Sequence, residues 1–295
     1  MTSGVSPFRQ DVALSRLTTI GTGGPARAYA EAGTLAELER ALTGAAERGL
    51  EVATVGLGSN LLAADAGVDR LVLRLTGALA AARAEGSILV AGGGATNAVC
   101  LHRARDACLG GLEFACAIPG TAGGGVWMNA GAYGSDWSTI LVRALVATAT
   151  GTGWLTPAEL GLSYRHSNLQ HGHVVAGVEY QLAERDRGAI RSEVQGLVAR
   201  RKATQPTTKR TFGSVFKNPS GEIGAGRMLE LCGLKGYRYG GAVISPVHAN
   251  FIENAGEATT ADCLALMEEA RRRALDSFGV NLEHEVVLLG DITCA

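Results

Sequence analysis

The chain has 295 residues, with 27 lysines and arginines against 28 aspartates and glutamates, a formal net charge of −1. That balance excludes a general nucleic-acid binder, because phosphate-backbone affinity needs a large excess of base over acid. Hydrophobic residues at 46% and charged residues at 19% fit a globular protein of two or three packed units. No apolar run reaches the ~18–20 residues that span a bilayer, and residues 1–15 lack a signal-peptide pattern, so a cytoplasmic protein without a membrane partner is expected.

In chain order, residues 34–48 read as a helix. Thr34 and Glu37 form a capping box, Leu35, Leu38, Ala41, Leu42 and Ala45 supply the apolar stripe, and Gly49 the stop. Val52–Val55 and Leu71–Leu75 read as short buried strands, with Gly56–Leu62 a glycine-rich turn between them, an α/β beginning. Ile88–Ala91 is a further strand, and a helix over about Thr96–Leu109 follows. A long glycine-rich loop then runs from Ile118 to Gly134. Leu141–Ala147 and His173–Leu182 read as strands of the same region, and Ile190, Val194, Leu197 and Val198 carry a helical period that breaks at Gln205-Pro206. Beyond that boundary a helix at Thr260–Phe278, stopped by Gly279, precedes a last strand at Glu285–Leu289.

The 41 glycines, spread without low-complexity repeats, imply many turns and close backbone approach to an extended ligand. Yet the common nucleotide loops are absent. Gly56-Leu-Gly58-Ser-Asn-Leu61 has Leu61 where a Rossmann turn needs its third glycine, Gly92-Gly-Gly94-Ala-Thr-Asn97 fails at the same place, and no G-x-x-x-x-G-K-[ST] exists. Successive backbone N–H groups in such turns still suit a pyrophosphate. From Val194 to Gly221 there is no acid, while Arg200, Arg201, Lys202, Lys209, Arg210 and Lys217 all fall there. This is either a solvated basic face or an anion pocket. Cys100, Cys108, Cys116, Cys232, Cys263 and Cys294 form no C-x-x-C pair. No metal is expected, and the thiols read as buried and unpaired.

Three blocks are more specific when read together: Gly56-Leu-Gly-Ser-Asn-Leu-Leu62, Ile118-Pro-Gly-Thr-Ala-Gly-Gly-Gly-Val-Trp-Met-Asn-Ala-Gly-Ala-Tyr-Gly134 and Gly213-Ser-Val-Phe-Lys-Asn-Pro219. Tyr164-Arg-His-Ser167 and Leu282-Glu-His-Glu-Val286 accompany them in the same order. From about Thr18 to Gly290 the chain resembles the UDP-N-acetylenolpyruvoylglucosamine reductase family, in its shorter subtype. The resemblance implies an α/β fold: a vanillyl-alcohol-oxidase-type FAD-binding fold of two subdomains plus a third α/β substrate-binding domain. The expected domains are 1–76, with 281–295 a candidate to return to it, 77–203 and 204–280. It also implies non-covalent FAD, NADPH as co-substrate, a UDP-sugar enolpyruvyl ether as substrate, and a monomer. Small-for-small departures occur at Ala117, Ala122 and Gly125, and His284 stands where proline is common.

Residue by residue, the resemblance makes Arg165, Ser214 and Glu285 catalytic. Arg165 offers a fixed guanidinium fork for the substrate carboxylate. Ser214 is the proton donor to the α-carbon, and Glu285 helps a developing enolate only in its protonated form. Glu283 is a close competitor to Glu285. Tyr164, Lys217 and Asn218 are expected at the substrate. Gly56, Gly58, Ser59, Asn60, Leu61, Pro119, Gly120, Thr121, Gly124 and Gly131 are expected at the flavin. Trp127 and Tyr133 read as packing, and His166, His171, His173 and His248 as structural. Two alternatives stay open: an alcohol-oxidising flavoenzyme on the same fold, and a non-catalytic nucleotide-binding protein.

Overall fold

The computed structural model describes residues 8–292. They divide into two compact units, one of 8–10, Ala28–Leu57 and Arg70–Arg200, the other of Asp11–Arg27, Gly58–Asp69 and 201–292.

In the first unit, Thr34 and Glu37 make the reciprocal capping box that starts helix α1 (Leu35–Ala46). Its Leu38, Ala41, Leu42 and Ala45 are buried in one cluster with Leu71 and Leu73. Strand Val52–Thr54 lies parallel to Val68–Leu75, Val52 opposite Leu71. The larger element is a five-stranded antiparallel sheet in the order Gly151–Leu155, Leu141–Thr148, Val174–Gln181, Ile88–Gly92, Ala82–Glu85. Helices α2 (Asn97–Asp106) and α3 (Ala122–Trp127) are capped by the Thr96 and Thr121 side chains. Trp137 and Tyr180, both essentially inaccessible, sit in the core, the indole N–H donating to the Tyr180 hydroxyl at 2.7 Å. Helix α4 (Arg187–Thr204) fully buries only Ile190 and is otherwise a polar surface helix.

The second unit holds a four-stranded antiparallel sheet in the order Thr211–Ser214, Phe251–Asn254, Ala242–Ile244, Arg238–Tyr239. Against it pack helices α5 (Ala225–Leu231) and α6 (Thr260–Phe278), which share a core with Phe212 and Phe216. Thr259 and Asp262 cap α6, the Asp65 carboxylate accepts the N–H groups of Thr260 and Ala261, and Gly279 ends the helix at φ +68°. Strand Val287–Leu289 runs parallel to Leu61–Ala63.

The sequence reading needs four corrections. The turn expected at Gly56–Leu62 stops earlier, because Leu61 and Leu62 are buried in a strand. The loop expected at Ile118–Gly134 contains α3, whose run of three glycines masked a helix that Thr121 caps. Of the thiols, Cys100 and Cys263 are buried, Cys108 is exposed, and Cys116 and Cys232 are half-buried; Cys294 lies outside the described residues. The last strand is also shorter than expected, beginning at Val287.

Candidate functional site

In the first unit the two glycine-rich turns are zipped together. Asn97 N–H donates to the Gly120 carbonyl at 3.0 Å, Ala122 N–H to Ala95 at 2.8 Å, and Gly123 N–H to Gly93 at 2.8 Å. Thr96 and Thr121 face each other across this ladder. Because their neighbours make the flanking bonds, the Thr121 N–H points away from Thr96. It and the Gly120 N–H meet no acceptor among the described residues. Gly56 closes on the same turn: a Cβ there would fall 2.7 Å from the Thr121 hydroxyl oxygen. Gly124 is exposed, and only that hydroxyl, at 3.5 Å, comes near a Cβ built on it. The result is backbone stripped of side chains, with two N–H groups unspent.

Arg165 belongs to this unit. Its Nη2 donates to the Gly131 carbonyl at 2.6 Å, and its guanidinium lies over the Tyr164 ring, 5.0 Å from the centroid. Two more bonds fasten its loop to the glycine-rich segment. The Ser167 hydroxyl donates to Trp127 O at 2.6 Å, and the Asn129 amide donates to Ser163 O at 2.9 Å. Asn129 also accepts from Ser138 N–H at 3.0 Å, so its buried carboxamide is used at both ends. Arg165 itself has φ +53°, a left-handed conformation that costs a non-glycine residue on the order of 1 kcal/mol. Tyr133 contacts α4: its hydroxyl donates to Leu197 O at 3.1 Å and Arg200 lies over its ring.

The second unit carries the other candidates. Gly58 has φ +64°, and any Cβ there would collide with the Leu17 carbonyl; its own carbonyl accepts from Thr19 N–H at 3.0 Å. Asn60 donates its side-chain N–H to Glu285 O at 3.0 Å, and its carbonyl accepts from Val287 N–H at 3.1 Å. Ser59 is half-buried beside Gly213, whose Cβ would lie 3.3 Å from the Ser59 carbonyl. Ser214, half-buried, ends its strand opposite Phe251, just past a register shift. Beyond the strand, Val215 N–H still donates to Asn250 O at 2.9 Å, and residues 283–285 hold the other edge of the chain. Glu285 N–H donates to Val215 O and Lys217 N–H to Glu283 O, both at 2.9 Å, around a Phe216–His284 bridge.

That ladder brings Ser214, Lys217 and Glu285 together on adjacent segments. His284, the non-bonded partner of Phe216, contributes no N–H to this ladder, so a proline there would cost it no bond. Lys217 Nζ pairs with the exposed Glu283 carboxylate at 3.3 Å, a surface ion pair of the weak kind. Asn218 accepts from Ala225 N–H at 3.1 Å and so supports the first turn of α5. The acid-free stretch is not one pocket: Arg200 is over Tyr133, Arg201 bonds Gln205, and Arg210 lies beside Gly21.

Sequence reasoning missed Asn129, Ser167 and Asn250 as supports. Asn129 and Ser167 stand inside motifs that were noticed. Asn250 gave no local signal, because its partner is Phe216, far away in sequence.

Comparison with known proteins supplies the family context. A family model described as UDP-N-acetylenolpyruvoylglucosamine reductase, C-terminal domain, matches residues 205–289, and one described as FAD binding domain matches residues 26–154. UDP-N-acetylenolpyruvoylglucosamine reductase 2 of Symbiobacterium thermophilum is 45% identical over 285 residues, covering 96% of this chain and 92% of that protein. The reductase of Anaeromyxobacter dehalogenans is 43% identical, covering 96% and 85%. Among solved structures, the Thermus caldophilus UDP-N-acetylenolpyruvylglucosamine reductase superposes with a TM-score of 0.84 at 35% identity, over 96% of this chain and 99% of that one.

Proposed function

Because the chain belongs to the UDP-N-acetylenolpyruvoylglucosamine reductase family, we propose that it reduces UDP-N-acetylglucosamine enolpyruvate to UDP-N-acetylmuramate with NADPH and bound FAD. We place this reaction in peptidoglycan precursor synthesis, in a cytoplasmic monomer. No helix among the described residues is long and apolar enough to cross a membrane. The division of labour follows the FAD-binding subdomains 1–76 and 77–203 and a substrate domain at 204–280.

The residues fit FAD. The unspent N–H groups of Gly120 and Thr121, and the bare backbone at Gly56 and Gly124, suit a pyrophosphate approached by main chain. Pro119 and Gly131 belong to the same loop, and Gly58, Ser59, Asn60 and Leu61 are the remaining residues proposed for the flavin. When bound, FAD supplies the hydride that adds to the β-carbon of the enolpyruvyl group.

The chain's own residues do the rest. Arg165, always charged and held by the Gly131 carbonyl, binds the substrate carboxylate, where negative charge builds as the double bond is reduced. Ser214 gives its hydroxyl proton to the α-carbon, completing addition of one hydride and one proton across the C=C bond. Lys217, in the same segment, favours the serine's conjugate base. Glu285 acts in its neutral form, as a donor to the enolate. Lys217 also meets the diphosphate, leaving its weak pairing with Glu283, while Tyr164 and Asn218 border the sugar nucleotide.

The observation that supports this reading is the backbone bond from Glu285 N–H to Val215 O, which ties the segment carrying Glu285 to the segment carrying Ser214. The test is stopped-flow spectroscopy of Ser214→Ala. Flavin bleaching by NADPH should proceed at the wild-type rate, while reoxidation by the enolpyruvyl sugar nucleotide should slow by ~10²–10⁴-fold, the usual worth of a positioned proton donor. Normal turnover removes Ser214 from this role, and wild-type flavin left reduced by that substrate removes the substrate.

A further inference from the structure

We propose that Asn250 is a positioning residue for the proton-donating serine, its buried carboxamide taking the place of a missing neighbouring strand beside Phe216. This rests on the reading of Ser214 given above.

The geometry is that of a peptide substitute. In the Phe216–His284 bridge the ladder bonds are made by Val215 and Lys217. The N–H and C=O of Phe216 therefore point to the opposite side, away from residues 283–285. Strand Phe251–Asn254 begins at Phe251, opposite Ser214, so no residue of that strand stands opposite Phe216. Asn250, the residue just before that strand, fills the gap. Its Oδ1 accepts from Phe216 N–H at 2.9 Å and its Nδ2 donates to Phe216 O at 2.8 Å, while its backbone carbonyl accepts from Val215 N–H at 2.9 Å. Asn250 is 4% exposed and Phe216 1%, so no water competes for these bonds. Removing the amide leaves a buried donor and a buried acceptor unpaired.

The consequence falls on position. Ser214 and Lys217 flank the Val215–Phe216 pair, and Glu285 hangs from Val215. With one side fixed by residues 283–285 and the other by Asn250, the segment has one location. With only one side fixed it can slide or twist. Displacement of a reacting group by about 1 Å costs on the order of 10²-fold in rate. Asn250 is itself held, since its N–H donates to His248 Nδ1 at 3.2 Å.

The experiment uses the flavin-loaded full-length enzyme in three variants, Asn250→Ala, Asn250→Asp and Ser214→Ala, with both half-reactions followed by stopped flow. Flavin content and bleaching by NADPH should match wild type throughout. In Asn250→Ala, reoxidation at saturating enolpyruvyl sugar nucleotide should fall by ~10²-fold, with exchange of the Val215 and Phe216 amides accelerated. Asn250→Asp is the discriminating variant. Its carboxylate can accept from Phe216 N–H but cannot donate to Phe216 O, whereas its protonated form does both. Reoxidation should therefore be slow near about pH 8 and recover toward wild type as the pH is lowered to about 5.5, burial having raised that carboxyl. Wild type, carrying the same His248, Lys217, Glu283 and Glu285, is the control over that range.

The positioning role is overturned if Asn250→Ala reoxidises within about threefold of wild type while Ser214→Ala is slow. It is equally overturned if Asn250→Asp is slow at every pH, which marks a merely structural residue. A normal Ser214→Ala rate locates the failure in the serine's role instead, and the positioning role falls with it, for want of a donor to position.

Discussion

Gly125 is the position where packing gives the sharpest forecast. A methyl group there would sit 2.5 Å from Trp137 Cε2, 2.6 Å from Nε1 and 2.8 Å from Cζ2. The indole has little freedom to yield. Trp137 is 1% exposed, stands edge-on to Phe114 at 4.8 Å, and is tied to the buried Tyr180 hydroxyl. Overpacking of this kind costs ~1–3 kcal/mol, and moving the indole enough to lose its bond to Tyr180 adds about 1 kcal/mol. Against this, alanine gains about 1 kcal/mol of helix propensity over glycine within α3. The net expectation for Gly125→Ala is a loss of about 2 kcal/mol, or roughly 4–8 °C in Tm for a unit of this size. Tm would be read by near-ultraviolet circular dichroism, with flavin release followed in parallel, since α3 begins at the Thr121 turn. Trimming the indole should relieve the clash, so Gly125→Ala and Trp137→Phe should be strongly non-additive in a double-mutant cycle. A Tm at or above wild type for Gly125→Ala, or strict additivity, would falsify this reasoning.

Two further predictions follow from backbone and charge. Because Arg165 has φ +53°, Arg165→Gly should be more stable than Arg165→Ala by about 1 kcal/mol although both lose the guanidinium. Urea unfolding at neutral pH would show it, and equal midpoints would mean the loop relaxes. The Asp262 carboxyl lies below its ordinary 3.8, first because Thr259 N–H bonds it, with Gly241 N–H and the Thr259 hydroxyl adding to this. A depressed acid stabilises the fold above its unfolded value and loses that contribution as pH falls through the folded one. Asp262→Asn, which keeps an acceptor oxygen and loses only a solvent-screened charge, should thus cost up to about 1 kcal/mol near neutrality, with the gap to wild type closing below about pH 4. A gap unchanged by acid would show that the cap does not depend on the charge.

Much of the fold could be read from local signals. The capping box at Thr34, the apolar period of α1 and the glycine stop at Gly279 are contained within a few residues, and α1 begins and α6 ends there. The strand Pro25–Ala32 escaped notice because alanine fills every second position, although its residues alternate between exposed and buried over the first half. Elements of 204–280 were harder still. Thr211–Ser214, Ala242–Ile244 and Phe251–Asn254 are only three or four residues long, too short for a period to show, and exist because α5 and α6 cover them. The proposed site residues stand in recognisable motifs, whereas the pairing that positions them does not show in sequence. That Glu285 faces the end of a strand at Ser214 depends on pairing across seventy residues, which no local pattern encodes.

The two asparagines that went unread show why such support is invisible in sequence. Asn129 bonds Ser163 O and Ser138 N–H; Asn250 bonds both polar groups of Phe216. Each carboxamide stands where regular pairing stops. The segments that carry Arg165 and Ser214 do not continue as ordinary strands there, yet their buried peptide groups still need partners. A carboxamide is the side chain that offers one donor group and one acceptor in the plane of a peptide, so it can finish a ladder that the backbone has left. Its partner is chosen by the tertiary fold rather than by spacing. Supports of this kind therefore emerge only once the chain is folded, and they mark the points where regular structure gives way to function.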